Sequence, residues 1–377
     1  MSRRRFYFIE PSKVGNQHIT LIKGYLSALM LSVKIKEKYD LFLYASSSTL
    51  SMLPLSLKSG YICSVIPVMN PEKRRLVLKT LIELFVVFRF LVKLRRGDIL
   101  FISCVLPTTL WLLEFLNRLL GKSGVYVVLH GEIEGLFDTA LQNFRSYGFW
   151  SKKWIQSRLA KSRILLVVLD DFIREKLVLE YPDKLDDEIV SVVHHPVVAF
   201  SPIHKENDPL HPSVCFVGYR SRYKGYDDFV HMATKHSTIK FLAIGESKVE
   251  DVKTGAIEDL GNNDSYINEI SKCAAAIFPY TSLYSCSLSA AALDALASGV
   301  PIIALDRPFF SSLASYFGPE IVTVCASVDE ISLELEDEKL LAAYLTKKVR
   351  LGRLSKSKYN LLAVQESFEK LAISQVS

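Results

Sequence analysis

The sequence predicts an α/β protein made of two Rossmann-like domains, and three observations carry that expectation. Its 377 residues exceed the usual size of one domain. Short runs of Val, Ile, Leu and Phe alternate with stretches of helical periodicity along the chain. A proline-rich interruption splits that alternation into two series.

The first series places strands at Phe6–Ile9, Leu41–Tyr44, Tyr61–Ile66, Ile99–Ser103, Val125–Leu129, Leu165–Leu169 and Ile189–Val193. Helices fall at His18–Lys36, Glu72–Leu94, Thr109–Leu120, Trp154–Lys161 and Phe172–Glu180. Strands that are apolar throughout, rather than alternately, imply a mainly parallel sheet covered on both faces. Between Pro196 and Ser213 four prolines mix with polar residues, which suits a linker. The second series has strands at Val214–Val217, Ile239–Ile244, Ala275–Phe278, Ile302–Leu305 and Ile321–Val324. Its helices are Tyr226–Thr234, Asn263–Lys272, Ser289–Ser298 and Phe309–Tyr316, and the chain reads as helical from Val328 onward. The domains expected are 1–196 and 197–377, with a C-terminal tail that either stays on the second or crosses back to the first. Ligands of open parallel sheets bind at the carboxyl ends of the strands, so a cleft between two such ends is expected.

Composition narrows the classes. With 49% hydrophobic and 23% charged residues the chain is globular rather than disordered. Six cysteines lack CxxC or metal-finger spacing and sit mostly in apolar runs, as buried free thiols do. The apolar run near the start is only about four residues, too short for a signal-peptide core, so a cytoplasmic location is expected.

The charge is local. Between Pro71 and Gly97 lie Lys73, Arg74, Arg75, Lys79, Arg89, Lys93, Arg95 and Arg96 against two glutamates, a net +6 that equals the whole chain's. Lys79, Glu83, Arg89 and Lys93 interrupt the apolar run, which argues against a membrane span. Two readings remain: a basic, apolar helix lying on an anionic membrane surface at the inner face of the plasma membrane, or a long domain helix with basic ends. Nucleic acid is not an expected partner, because no aromatic-interleaved basic groove accompanies the charge.

Two stretches of the second half carry chemistry. Val214–Gly225 runs from a strand through Gly218 and a loop with Arg220 and Arg222 to Lys224-Gly225, where a helix opens. Glycine lets a backbone approach a pyrophosphate, a helix start offers free N–H groups, and a cation neutralises the oxygens. Pro279–Pro301 runs from a strand end at Tyr280 through a Ser/Tyr-rich loop to Ser289, a natural N-cap, then Ala290 and a helix of small residues carrying Asp294. A carboxylate there can accept from ribose hydroxyls. Glu246, past the strand Ile239–Ile244, joins the same donor-side group.

Together these stretches resemble the nucleotide-sugar half of the GT-B glycosyltransferases, in particular the bacterial GT4 family, over about residues 189–325. Lys224-Gly225 matches the Lys-Gly that follows that family's strand and glycine loop. Asp294-Ala-Leu-Ala-Ser-Gly-Val-Pro301 matches its Glu-Ala-x-Ala-x-Gly-x-Pro element. Tyr219 stands where the family has Arg, Cys286 where it has the first Glu of a Glu-x7-Glu pair, and Asp294 is one methylene shorter than the second. The resemblance implies a GT-B fold and transfer from a nucleotide-sugar donor to a lipid-linked saccharide or polysaccharide in bacterial surface-polysaccharide assembly, such as capsule or O-antigen. It implies retention in preference to inversion, no catalytic metal and no cofactor besides the nucleotide sugar.

In the first half, Glu10–His18 contains Gly15, Asn16 and His18. In GT-B enzymes such a first loop faces the cleft, which would put Gly15 on the donor and Asn16 and His18 on the acceptor; an ordinary capping loop fits the residues equally. His130-Gly-Glu132 follows a strand end. His130 is a candidate for orienting the acceptor or taking its proton, and Glu132 for base in an inverting reaction. His130, Glu132 and Glu134 show no second ligand cluster at metal spacing. His194-His195-Pro196 reads as structural. Two other classes stand beside sugar transfer: a non-catalytic nucleotide-sugar binder or scaffold, favoured by Cys286, and a nicotinamide dehydrogenase, disfavoured because Val14-Gly15-Asn16 supplies one glycine of the required GxGxxG.

Overall fold

Every strand pairing found among the described residues is parallel. The structure is a computed structural model and describes residues 3–15, 18–69, 76–137, 147–159, 162–197, 212–245, 257–261, 266–281, 284–336 and 357–374. The chain divides into two units, residues 1–198 with 358–377, and residues 199–357. The C-terminal segment therefore belongs to the first unit.

The first sheet holds β1 (Arg4–Ile9), β2 (Tyr39–Ala45), β3 (Ile62–Val65), β4 (Ile99–Ile102), β5 (Val125–Val128), β6 (Ile164–Val168) and β7 (Val190–Val192). Their order is β3-β2-β1-β4-β5-β6-β7. Phe6 on β1 lies opposite Leu41 on β2 and Ile99 on β4. β4 and β5 are buried at every residue, as a sheet covered on both faces requires. The order reverses between β1 and β4, so the carboxyl ends of those strands form the topological switch point where such sheets bind ligands.

The second sheet holds β8 (Ser213–Val217), β9 (Lys240–Ile244), β10 (Ile257–Gly261), β11 (Ala275–Phe278), β12 (Ile302–Leu305) and β13 (Val322–Cys325), in the order β10-β9-β8-β11-β12-β13. Its switch point lies between β8 and β11. Phe216, Phe229, Phe241, Ile277, Ile303 and Ile331 lie in one buried cluster, so this unit has a core of its own. The fold class is thus the expected one, two parallel α/β sheets. β10, with the sequence Ile-Glu-Asp-Leu-Gly, is an edge strand that the sequence pattern does not reveal.

The helix Leu76–Lys93 corrects one sequence expectation. Lys79, expected to be a membrane contact, is buried, and so is Glu83. Glu83 accepts from Leu106 N–H at 2.9 Å and from the Thr109 hydroxyl at 2.7 Å, capping the helix Pro107–Leu120. Burial pushes its pKa up to about 7, against the pull of those two donors. Lys79 is thus no membrane contact. The outward face carries Val77, Leu78, Leu81, Phe85, Phe88 and Val92, with Arg89, Lys93, Arg95 and Arg96 exposed beside them. Lys73, Arg74 and Arg75 lie outside the described residues.

Of the six cysteines, Cys63 is half-buried and the other five are buried, all as free thiols. No described helix is long and apolar enough to cross a membrane.

Candidate functional site

In the second unit the donor-side residues fall around the ends of β9, β8, β11 and β12, four neighbours in the sheet. β8 ends at Gly218, which has φ 104°. A Cβ there would stand 3.4 Å from Lys224 Nζ and 3.3 Å from the Ala291 methyl. Those distances place the ammonium and the first turn of the helix Ala290–Ala297 beside a bare backbone. The chain then turns through Arg222–Lys224 to Gly225 at φ 69°, where a Cβ would lie 1.7 Å from the Pro279 carbonyl oxygen. Only glycine lets the β8 loop close against the end of β11 in this way.

Lys224 Nζ also lies 5.5 Å from the centre of the Tyr280 ring. The Tyr280 and Ser289 hydroxyls are 3.0 Å apart. Ser289 Oγ accepts from Ala292 N–H at 3.3 Å, capping the small-residue helix. Tyr284 stacks near Tyr280 at 4.3 Å with φ 79°, a left-handed conformation rare for an aromatic residue and often found where a loop is shaped for function. Arg307, at the end of β12, donates from Nε to the Tyr280 carbonyl at 2.9 Å and also bonds the Thr281 carbonyl. It holds the loop by two of its carbonyls, a role nothing in its sequence surroundings signals.

Two basic candidates are corrected here. Arg220 is buried, and its guanidinium is held by Asp259 on β10 and the Ala243 carbonyl. It ties the β8 loop to the sheet edge. Arg222 is exposed and pairs with Asp227 at 3.2 Å. Neither side chain is gathered with Gly218 as Lys224 is. Glu246 lies outside the described residues.

Asp294 is half-buried on the helix Ala290–Ala297. Burial pushes its pKa up to about 7, partly offset by a hydrogen bond with Tyr266. This raised value has a defined sign. Below about pH 4 Asp294 is neutral folded or unfolded; above that, the folded state resists its ionisation, so stability falls until about pH 7. Asp294→Asn should therefore be more stable than the wild type at pH 8 by on the order of 1–3 kcal/mol, with no gain at pH 4. Urea denaturation at the two pH values checks this.

In the first unit, the ends of β1, β4 and β5 bring together Glu10, His18, Ser103, Cys104 and His130. Glu10 is fully buried and accepts from Ser12 N–H at 3.0 Å, Lys13 N–H at 2.9 Å and the Ser103 hydroxyl at 2.8 Å. Burial alone would raise its pKa, but His18 and these donors hold it below the usual carboxylate range. His18 Nδ1 lies 3.8 Å from Glu10, and its backbone is left-handed at φ 60°. The His18 and His130 rings stack at 4.4 Å. His130 Nε2 lies 2.7 Å from the Ser103 carbonyl oxygen. Gly15 N–H donates to Ser48 Oγ at 3.1 Å. Glu10 and Cys104 were not among the sequence candidates. Asn16 and the Glu132 side chain lie outside the described residues.

His194 and His195 are occupied structurally. His194 pairs with Asp171 at 3.0 Å, and burial pushes His195 down to about 4.

The two parallel α/β sheets give the chain the GT-B fold. Among solved structures it is similar to sucrose-phosphate synthase from Thermosynechococcus elongatus, with a TM-score of 0.69, 14% identity and 99% of each chain covered. It is similar to HepE from Anabaena in complex with UDP at 0.66 and 11% identity, covering 98% of this chain and 100% of that one. It also resembles the lipopolysaccharide outer core galactosyltransferase WaaB at 0.63 and 12% identity, covering 98% of this chain and 99% of that one. No protein-family model matches the sequence, and no curated protein matches it.

Proposed function

We propose that the protein is a glycosyltransferase whose second unit holds the diphosphate of a nucleotide sugar, and the observation that carries this is the grouping of Lys224 with Gly218 and the start of the helix Ala290–Ala297. Transfer releases a nucleoside diphosphate, and charge grows on its leaving oxygen in the transition state. A fixed ammonium and a helix start beside that oxygen lower the barrier without further reorganisation. The positive charge comes from the chain itself, so the diphosphate needs no metal ion here. Asp294 receives the ribose hydroxyls, and Tyr280 and Ser289 shape the phosphate pocket. A GT4-like, retaining outcome accompanies this reading. On the acceptor side His18 and His130 orient the incoming hydroxyl, with Glu10 behind them.

The similarity to HepE with bound UDP makes uridine donors the first to try. The experiment is a panel of UDP-, GDP- and dTDP-sugars followed by nucleoside diphosphate release, with and without membrane lipid extracts. No release and no donor hydrolysis across the panel overturns the reading. Binding without turnover by any acceptor would favour a non-catalytic binder, the alternative that Cys286 raises.

The acceptor we propose is a lipid-linked saccharide or polysaccharide, reached at an anionic membrane surface during surface-polysaccharide assembly. Supporting this, the outward face of the helix Leu76–Lys93 exposes Leu81 at 56% and Phe85 at 58% beside Arg89 and Lys93. The neighbouring helix adds exposed Phe115 and Leu119. Each large apolar side chain contributes about 1.5–3 kcal/mol when buried in lipid, and each nearby cation about 1 kcal/mol at an anionic surface. The double variant Leu81→Asp with Phe85→Asp should lose at least about tenfold in sedimentation with phosphatidylglycerol vesicles. Its melting temperature should stay that of the wild type. Unchanged vesicle binding would remove this face from the membrane.

A further inference from the structure

A second buried carboxylate lies behind the loop that carries Glu10 and His18. Glu83 faces inward from the helix Leu76–Lys93 and is only 1% exposed. We propose that Glu83 is a positioning residue for the acceptor side: in its ionised form it draws the loop after β1 and the turn after β4 together, and so sets where Glu10 and His18 stand. Its functional part rests on reading the first unit as the acceptor side.

The two carboxylates hold the same pair of segments. Glu10 takes the Ser12 and Lys13 N–H groups from the loop after β1 and the Ser103 hydroxyl from the end of β4. Glu83 Oε2 takes the Leu106 N–H and the Thr109 hydroxyl from the turn that follows β4. Its other oxygen, Oε1, is buried and makes no hydrogen bond, and neither does the buried Ser12 hydroxyl. Ser12 is nonetheless close enough to favour the Glu83 anion. Two orphaned polar atoms are costly to leave unjoined, and a small shift of the loop joins them. A hydroxyl donates more strongly to a carboxylate than to a neutral acid, so ionised Glu83 pulls Ser12 inward. The Ser12 N–H is tied to Glu10, and His18 Nδ1 lies 3.8 Å from Glu10, so the pull reaches the histidine. Beside this clamp the Thr80 and Thr108 hydroxyls, 2.6 Å apart, join the same two helices.

The charges around Glu83 are few. Lys79, one turn earlier on its own helix, favours the anion. Across Ser12 stand Glu10 and Lys13. The turn Leu106–Thr109 offers an N–H and a hydroxyl but no charge. Burial outweighs the stabilising groups and brings the carboxyl to about 7, so it changes state near neutral pH.

The test follows backbone amide resonances of the full chain, labelled with nitrogen-15, from about pH 5.5 to 8.5. The Leu106 N–H should shift with a midpoint near pH 7. Ser12 and Lys13, whose N–H groups bond Glu10 and not Glu83, should shift with the same midpoint. Glu83→Gln keeps the size and an acceptor oxygen but cannot ionise, so all three amides should lose that step. Ser12→Ala should keep the step at Leu106 and lose it at Lys13, and it decides alone should Glu83→Gln not fold. A step confined to Leu106 in the wild type overturns the proposal. So does one that survives Glu83→Gln, which belongs to His18 or another neighbour, or one that persists at Lys13 in Ser12→Ala. Turnover is the second readout. Nucleoside diphosphate release stimulated by membrane lipid extract should fall about tenfold from pH 8 to pH 6 through the Glu83 step. Glu83→Gln should lack that step while UDP affinity stays unchanged, and a wild-type profile in this variant takes Glu83 off the acceptor side. No release from any donor strikes the glycosyltransferase reading instead, and the amide titration still decides whether Glu83 couples the two segments.

Discussion

Lys224→Ala is expected to cut nucleoside diphosphate release from the preferred donor by about 100- to 1,000-fold, the usual consequence of deleting one preorganised charge at a developing anion. The geometry makes the expectation specific. Lys224 Nζ would lie 3.4 Å from a Cβ on Gly218, so it stands over bare backbone where a phosphate oxygen can approach. The side chain is half-buried, and the neighbouring Tyr280 ring gives a cation–π contact of about 0.5–1 kcal/mol. Losing that contact leaves the second unit folded, because its core cluster contains neither residue. Kinetics and a melting curve on the same preparation separate the two effects. Arg222→Ala is the internal control: that guanidinium is exposed and engaged with Asp227, so transfer should be nearly unchanged. A Lys224→Ala protein with wild-type turnover takes Lys224 off the diphosphate, and a Lys224-like loss in Arg222→Ala means the loop moves on binding.

The contrast between these two neighbours shows where sequence reading stops. Strands were legible because parallel sheets bury both faces, which makes β4, β5, β11 and β12 continuous apolar runs. The edge strand β10 was not, since an edge tolerates Glu258 and Asp259 and leaves no such run. Gly218, Lys224, Gly225 and Ser289 were legible because a turn, a helix start and a cap each demand particular residue types locally. The fates of Arg220 and Arg222 were not, because they depend on Asp259 and Asp227, partners chosen by the tertiary fold. Glu10, Cys104 and Arg307 are likewise ordinary in their own stretches and become notable only when strand order brings other loops beside them. Lys79 and Glu83 teach the same point in reverse. Counted along the chain they interrupt an apolar helix, whereas in space they face inward and leave the outer face apolar.

The largest stability effect is expected from Phe368→Ala, far in sequence from either cluster. Phe368 sits on the helix Leu361–Ser374, which packs against the helix Ile19–Leu31 of the first unit. Its ring is fully buried, 5.1 Å from Tyr25, 5.2 Å from Phe101 and 6.4 Å from Phe6. It therefore plugs the first sheet beside β1 and β4, the strands whose ends carry Glu10 and Cys104. Truncating a buried Phe to Ala costs about 3–5 kcal/mol, against a total stability of about 5–15 kcal/mol for a typical protein. For a unit of this size the melting temperature should fall on the order of 10 °C. The return of the chain is pinned as well as packed: Lys358 bridges Asp170 and Asp171, Tyr359 bonds Asp170, and Glu369 takes Ser32 Oγ and Lys34 Nζ at 2.8 Å each. Leu362→Ala, on the exposed side of the same helix, should change stability by no more than about 0.5 kcal/mol. UDP affinity should survive Phe368→Ala at temperatures below the transition, because the second unit keeps its own core. Equal melting of Phe368→Ala and wild type would mean that the last helix adds nothing to the first unit's core.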